Sequence, residues 1–102
     1  MENAQKLPIQ AVGMVWYKRE NYDRLKTIFE DGSNLHDTYD GWLKAAEAGR
    51  LSMESKGARV ICVDIDPVDF PEWCKNNDMK LNAAARNRYA NLAVYNAITS
   101  NS

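Results

Sequence analysis

Side chains that commonly bind metals or act as nucleophiles are scarce in this chain. Its 102 residues include two cysteines, Cys62 and Cys74, and one histidine, His36. The cysteines form no Cys-x-x-Cys pair, so their spacing does not fit the common zinc sites. Each cysteine follows an apolar or aromatic residue, and we therefore expect two reduced thiols in the core. We expect neither a metal ion nor another cofactor.

An excess of charge and long apolar segments are also missing. Thirteen basic residues oppose fourteen acidic ones, which leaves a net charge of -1. This balance argues against nucleic acid and against an anionic membrane as partners. The longest apolar run, VICV at 60–63, is far shorter than the ~20 residues of a membrane helix. The opening segment MENAQKLPIQ has no signal-peptide pattern, so we expect a cytoplasmic protein.

Two short segments are apolar on both of their alternating faces, AVGMVWY at 11–17 and RVICVDI at 59–65. This pattern is typical of parallel strands that are covered on both sides. Two helical patterns follow each strand, and a strand–crossover–strand connection makes the strands parallel. The sequence therefore predicts an α/β fold of order β-α-α-β-α-α, with a small two-stranded parallel sheet packed by four helices. We expect an internal βαα repeat, a flexible arm at 1–10 and a single domain at 11–100.

Capping residues and glycines predict where the elements begin and end. Gly32 is expected to end the first helix in the left-handed conformation, and Gly57 to end the second. Asp66 is expected to cap the third helix, which begins near Asp69 because of the proline that follows. Asn82 is expected to cap the last helix.

Four segments carry a resemblance to a known family. They read WYKRENYDRL (16–25), TYDGWLKAAE (38–47), DPVDFPEWC (66–74) and AARNRYANLA (84–93). They resemble the landmarks of a small, uncharacterised bacterial protein family with no assigned function, over nearly the whole chain beyond residue 10. The resemblance implies a bacterial and cytoplasmic origin, and it implies no chemistry.

The carboxyl ends of the two strands are the candidate ligand site, because ligands bind there in open parallel sheets. Lys18 and Arg19 follow the first strand, while Asp64 and Asp66 close the second. Helix amino termini next to both strands would attract a phosphate or a carboxylate. The competing interpretation is that Lys18 and Arg19 are solvated and Asp66 is only a cap. The lone Gly13 does not make a glycine-rich phosphate loop.

Other candidates have simpler structural interpretations. Asp64 and Asp66 could share a face for acid–base chemistry or Mg²⁺, but such a pair is more typical of a strand end and a cap. His36 is expected to be a surface residue or a helix-start contact. Arg86 and Arg88 are ~200° apart around a helix, so we expect one arginine in solvent and one bound to an acid of the first repeat. No residue is assigned a catalytic role.

The three tryptophans, Trp16, Trp42 and Trp73, each lie on an apolar stripe, so we expect at least two of them to pack in the core.

A two-stranded sheet is marginal by itself, which indicates that a second chain completes the fold. The last helix has two apolar sides, so that either Leu92 and Tyr95 or Val94 and Ile98 could face outward. The sequence therefore favours a non-enzymatic interaction or regulatory module that acts as a homodimer and meets a further protein partner. The alternative is a small-molecule or phosphate-binding protein, which could be an enzyme, that uses the strand ends.

Overall fold

The computed structural model describes residues 11–99, and the predicted arm at 1–10 lies outside this range. Its elements are β1 (Ala11–Trp16), α1 (Arg19–Ile28), a short 3₁₀ helix (Gly32–Asn34), α2 (Tyr39–Ser55), β2 (Arg59–Asp64), α3 (Asp69–Asn76) and α4 (Ala83–Thr99). The predicted order β-α-α-β-α-α is confirmed. The predicted start of the third helix at Asp69 is confirmed as well.

The two strands pair in parallel, in a register that sets Ala11 beside Arg59 and Trp16 beside Asp64. Helix α2 packs mainly on β2, and α4 packs mainly on β1. Helix α4 lies on the face of Gly13, whereas α2 lies on the face of Met14. One long helix therefore packs on each face of the sheet, as the apolar strands predict. Both strands also keep one edge that no strand of residues 11–99 pairs with.

Gly13 allows α4 to lie very close to β1. A Cβ atom added to Gly13 would stand 2.8 Å from the carbonyl oxygen of Ala90 and 2.7 Å from Cγ2 of Val94. Backbone at that distance cannot move aside without shifting the helix. Glycine at this strand position therefore fixes the separation between the sheet and the last helix.

The internal repeat is visible in the lengths and caps of the elements. Each strand has six residues and each long helix has 17. The Thr38 hydroxyl accepts a hydrogen bond from the Gly41 N–H at 3.1 Å, and the Asn82 side chain accepts one from the Ala85 N–H at 3.0 Å. In both long helices, the side chain of the capping residue thus accepts a hydrogen bond from the N–H three residues further along the chain.

The core lies beyond the carboxyl ends of the strands, where α1, α3 and the start of α4 meet. Its buried members are Tyr17, Tyr22, Leu25, Phe29, Ile65, Phe70, Cys74 and Ala85. Trp42 and Trp73 pack against this cluster, and Trp16 packs edge-on against Trp42 at a ring distance of 5.1 Å. The packing role predicted for at least two tryptophans is confirmed.

Two local predictions are wrong: that Gly32 ends the first helix in the left-handed conformation, and that both cysteines lie in the core. Helix α1 already ends at Ile28, and among the described glycines only Gly57 has a positive φ, of 96°. A Cβ on Gly32 would overlap the carbonyl of Lys26, so glycine is needed there for space and not for a left-handed turn. Cys62 is exposed, whereas Cys74 is buried. Cys62 lies on an edge strand, on the face where α2 only partly covers the sheet, so its thiol reaches solvent.

Candidate functional site

Two of the four predicted strand-end residues lie close together. Lys18 is the N-cap residue of α1, and its Nζ lies 3.9 Å from Oδ2 of Asp64 at the end of β2. The Lys18 side chain is 58% exposed and that of Asp64 38% exposed. Solvent therefore screens this pair, and the contact contributes little to stability.

Arg19 points away from that pair. Its Nη2 donates a hydrogen bond to Oδ1 of Asp40 at 2.7 Å, at the start of α2. The guanidinium also lies over the ring of Tyr39, with 4.7 Å between Cζ and the ring centroid. The hydrogen bond to Asp40 raises the pKa of Arg19. The arginine therefore links α1 to α2, and of the two predicted cations Lys18 stays at the strand ends.

Asp66 caps the turn that leads into α3, close to its simpler interpretation, although the N-cap position of the helix itself is Val68. Its Oδ2 accepts hydrogen bonds from the N–H groups of Val68 at 2.8 Å and Asp69 at 2.9 Å. These two bonds, that of Asp69 first, hold the pKa of Asp66 below its ordinary value. A carboxylate that already satisfies the turn before α3 has less capacity to bind a ligand.

Asp64 is the unusual residue of the strand ends. Its Oδ1 is buried and finds no hydrogen-bond partner among residues 11–99. Burial raises the pKa of Asp64, the Lys18 charge opposes this effect, and the nearby Asp66 and Glu20 charges reinforce it. A carboxyl group in this setting can accept a hydrogen bond or hold a proton. Three acids, Asp64, Asp66 and Glu20, lie near Lys18, and Arg24 acts on Asp66 as a second cation. Because the acids outnumber the bases, the charge of the strand ends does not favour a phosphate.

The two arginines of α4 lie as predicted. Arg86 donates two hydrogen bonds to Asp31, from Nη1 to Oδ1 at 2.9 Å and from Nη2 to Oδ2 at 2.8 Å. Its guanidinium lies 4.4 Å from the ring centroid of Phe29. Arg88 is exposed. The buried arginine thus joins the last helix to the first repeat and is unavailable to a ligand.

His36 is exposed, and its backbone carbonyl accepts a hydrogen bond from the Tyr22 hydroxyl at 2.6 Å. This contact fits the predicted role of a residue near a helix start.

A row of exposed apolar side chains runs along the outer side of α4. It consists of Leu92, Tyr95 and Ile98, which we call the α4 stripe. Tyr95 is 63% exposed and Ile98 is 51% exposed, while Val94 is buried against the sheet. The structure thus selects one of the two predicted outer sides of α4, with Ile98 joining Leu92 and Tyr95. Val94 does not belong to it, because it packs against Gly13.

An open groove adjoins the α4 stripe, between α3 and α4. Its volume is about 270 Å³, and its lining residues are Trp73, Tyr89, Leu92, Ala93 and Asn96. The Trp73 and Tyr89 rings meet edge to face at 5.2 Å. We call this feature the α3–α4 groove. The spacing of three and four residues marks Tyr89, Leu92, Ala93 and Asn96 as one side of α4. The groove that this side forms with Trp73 of α3 was not predicted.

Within residues 11–99, no three side chains of histidine, cysteine, aspartate or glutamate are grouped to hold a metal ion. In the same range, no helix is both long and apolar enough to cross a bilayer. The resemblance to a bacterial family stays a prediction. Comparison with known proteins finds no match to this chain among family models, curated proteins or solved structures.

Proposed function

We propose that this protein is a non-enzymatic interaction or regulatory module of the cytoplasm that acts as a homodimer through the α4 stripe. The observation that carries the proposal is the stripe itself. Three large apolar side chains follow one another on one side of a helix whose opposite side already packs on the sheet. Exposed apolar side chains that form a continuous patch are typical of protein interfaces.

The surroundings of the stripe suit a two-fold partner. Leu92 belongs both to the stripe and to the α3–α4 groove, so the apolar surface continues from α4 onto α3. A specific interface buries roughly 1,200–2,000 Å² in total, which requires such a continuous surface and not isolated side chains. Aromatic residues such as Tyr95 and Trp73 are enriched in interfaces of this kind.

Gel filtration with light scattering tests the proposal on two matched variants. Leu92→Glu places a charge in the stripe, and Leu51→Glu places the same charge on α2, where Leu51 is 58% exposed. We expect the wild type and Leu51→Glu to be dimeric, and Leu92→Glu to be monomeric with unchanged helical circular dichroism. A dimeric Leu92→Glu protein would contradict the assignment of the stripe as the interface.

The alternative, a small-molecule site at the strand ends, is favoured by the unpaired Oδ1 of Asp64. A ligand that donates a hydrogen bond there would satisfy a buried acceptor. Calorimetric titration of the wild type and Asp64→Asn with a panel of small amines, alcohols and phosphates tests this idea. Binding heat that the wild type shows and Asp64→Asn lacks would support the alternative. No binding heat from any compound of the panel would count against it.

A further inference from the structure

The α3–α4 groove has an aromatic wall, and carboxylates lie near the hydroxyl of Tyr89. Asp69 precedes Trp73 by four residues on α3, so the two side chains share one face of that helix. After burial, the charges of Asp69, Asp66 and Asp64 raise the pKa of Tyr89, and no basic residue offsets them. A ring face beside a carboxylate is a favourable place for a guanidinium.

Arg88 is a cation placed to meet such a groove. It is exposed on α4 and makes no ion pair with any residue in the range 11–99. At about 100° per residue, Arg88 lies about 40° to one side of Leu92, while Tyr89 and Asn96 lie about 40–60° to the other side. Arg88 therefore does not point toward the groove of its own chain, with Leu92 between them.

We propose that Arg88 of each chain inserts into the α3–α4 groove of a second copy, against the Trp73–Tyr89 pair and beside Asp69. The inference rests on the proposed function and specifies the geometry of its interface. In a parallel two-fold pairing of helices, the right side of one helix faces the left side of the other. Centring the pair on Leu92 then brings each Arg88 to the other chain's Ala93, which lines the groove.

The antiparallel arrangement is disfavoured by charge. In that pairing like sides of the two helices meet, so that Arg88 would lie opposite Tyr95 of the second copy and would not reach its groove. Neither guanidinium would then gain a carboxylate. Charge complementarity therefore selects the parallel pair, in which the arginine–groove contact occurs twice.

A charge exchange tests the contact. Dimer dissociation constants are measured by sedimentation equilibrium for the wild type, Arg88→Glu, Asp69→Lys and the double variant. Because each contact occurs twice, we expect either single variant to weaken the dimer by about tenfold or more. We expect the double variant to restore affinity to within about threefold of the wild type, since the two charges again oppose each other.

Lys44→Glu and Glu47→Lys are the matched controls, because both residues are exposed on α2. We expect each control to change the dissociation constant less than twofold. Asp69→Asn repeats the test without a cation at the start of α3, and circular dichroism shows that each variant is folded. A wild-type monomer would overturn both the proposed function and this inference. A dimer indifferent to Arg88→Glu, or one that the double variant does not restore, would overturn this inference alone.

Discussion

Replacing Arg86 with methionine is expected to be among the most destabilising substitutions in this fold. The variant removes both hydrogen bonds to Asp31 and leaves that carboxylate without its partner. Breaking a fully buried pair costs roughly 3–5 kcal/mol. The Asp31 side chain is 23% exposed in the structure. We therefore expect a smaller loss of about 2–3 kcal/mol in the free energy of unfolding. For a domain of this size the midpoint of thermal unfolding falls by roughly 10–20 °C.

Arg50→Met is the control, because Arg50 pairs with Glu54 at 3.4 Å on the surface of α2. An exposed pair of this spacing contributes about 0.3–0.5 kcal/mol. Both variants are measured by urea denaturation followed by circular dichroism. The double variant Arg86→Met/Asp31→Leu is expected to recover most of the loss, since it leaves no unpaired charge. A loss below about 1 kcal/mol for Arg86→Met would refute this reasoning, because solvent would then be screening the Asp31 charge.

The same pair predicts a dependence of stability on pH. The hydrogen bonds from Arg86 hold the pKa of Asp31 below its ordinary value in the folded state. The group therefore contributes stability above its unfolded pKa of about 3.9 and loses that contribution as the pH falls through the lower, folded value. Between about pH 4 and pH 2 the wild type should lose more stability than the Arg86→Met variant. Parallel losses in the two proteins would argue against the linkage.

The remaining predictions concern glycine packing and thiol access. Gly13→Ala should lower the free energy of unfolding by about 1–3 kcal/mol through overpacking. Gly49→Ala should be neutral or stabilising by up to about 1 kcal/mol, because a Cβ on Gly49 would meet only Cε of Met14 at 3.4 Å. Urea denaturation compares them, and equal losses would contradict the packing argument. In native protein a thiol reagent should modify exposed Cys62 and spare buried Cys74, although burial raises the pKa of both thiols. Modification of Cys74 before unfolding would contradict the structure.

The order of the elements follows from local patterns, so the sequence was sufficient to predict it. Alternation of apolar residues marks the strands, and Asp66 and Asn82 act over a few residues as caps. Gly57 lies at a turn that needs a positive φ. Each of these signals is short-range and is complete within one stretch of the chain.

Features that depend on distant partners could be predicted only in part. The acid that binds Arg86 proved to be Asp31, 55 residues away, and the sequence indicated only an acid of the first repeat. Exposure of Cys62 depends on how far α2 covers the sheet, which an apolar strand does not encode. The outward side of α4 depends on Gly13, because the close approach of that strand buries Val94.

The candidate ligand site shows the same limit. Lys18 and Asp64 meet because parallel strands end at one edge, and this proximity was predictable. Arg19 instead donates a hydrogen bond to Asp40 on a different helix, which directs its side chain away from Lys18 and Asp64. Pairing across elements therefore decided which of the four charges remain near the strand ends.

The central claim is that this chain forms a homodimer, and its mass in solution tests that claim most directly. Sedimentation equilibrium of the wild-type protein across micromolar concentrations should give twice the chain mass of 11.6 kDa. The fitted mass should fall toward that of one chain only on strong dilution, as expected for a reversible dimer. A mass of 11.6 kDa at every concentration, with native circular dichroism, would contradict the account and leave the α4 stripe as the surface of a stable monomer.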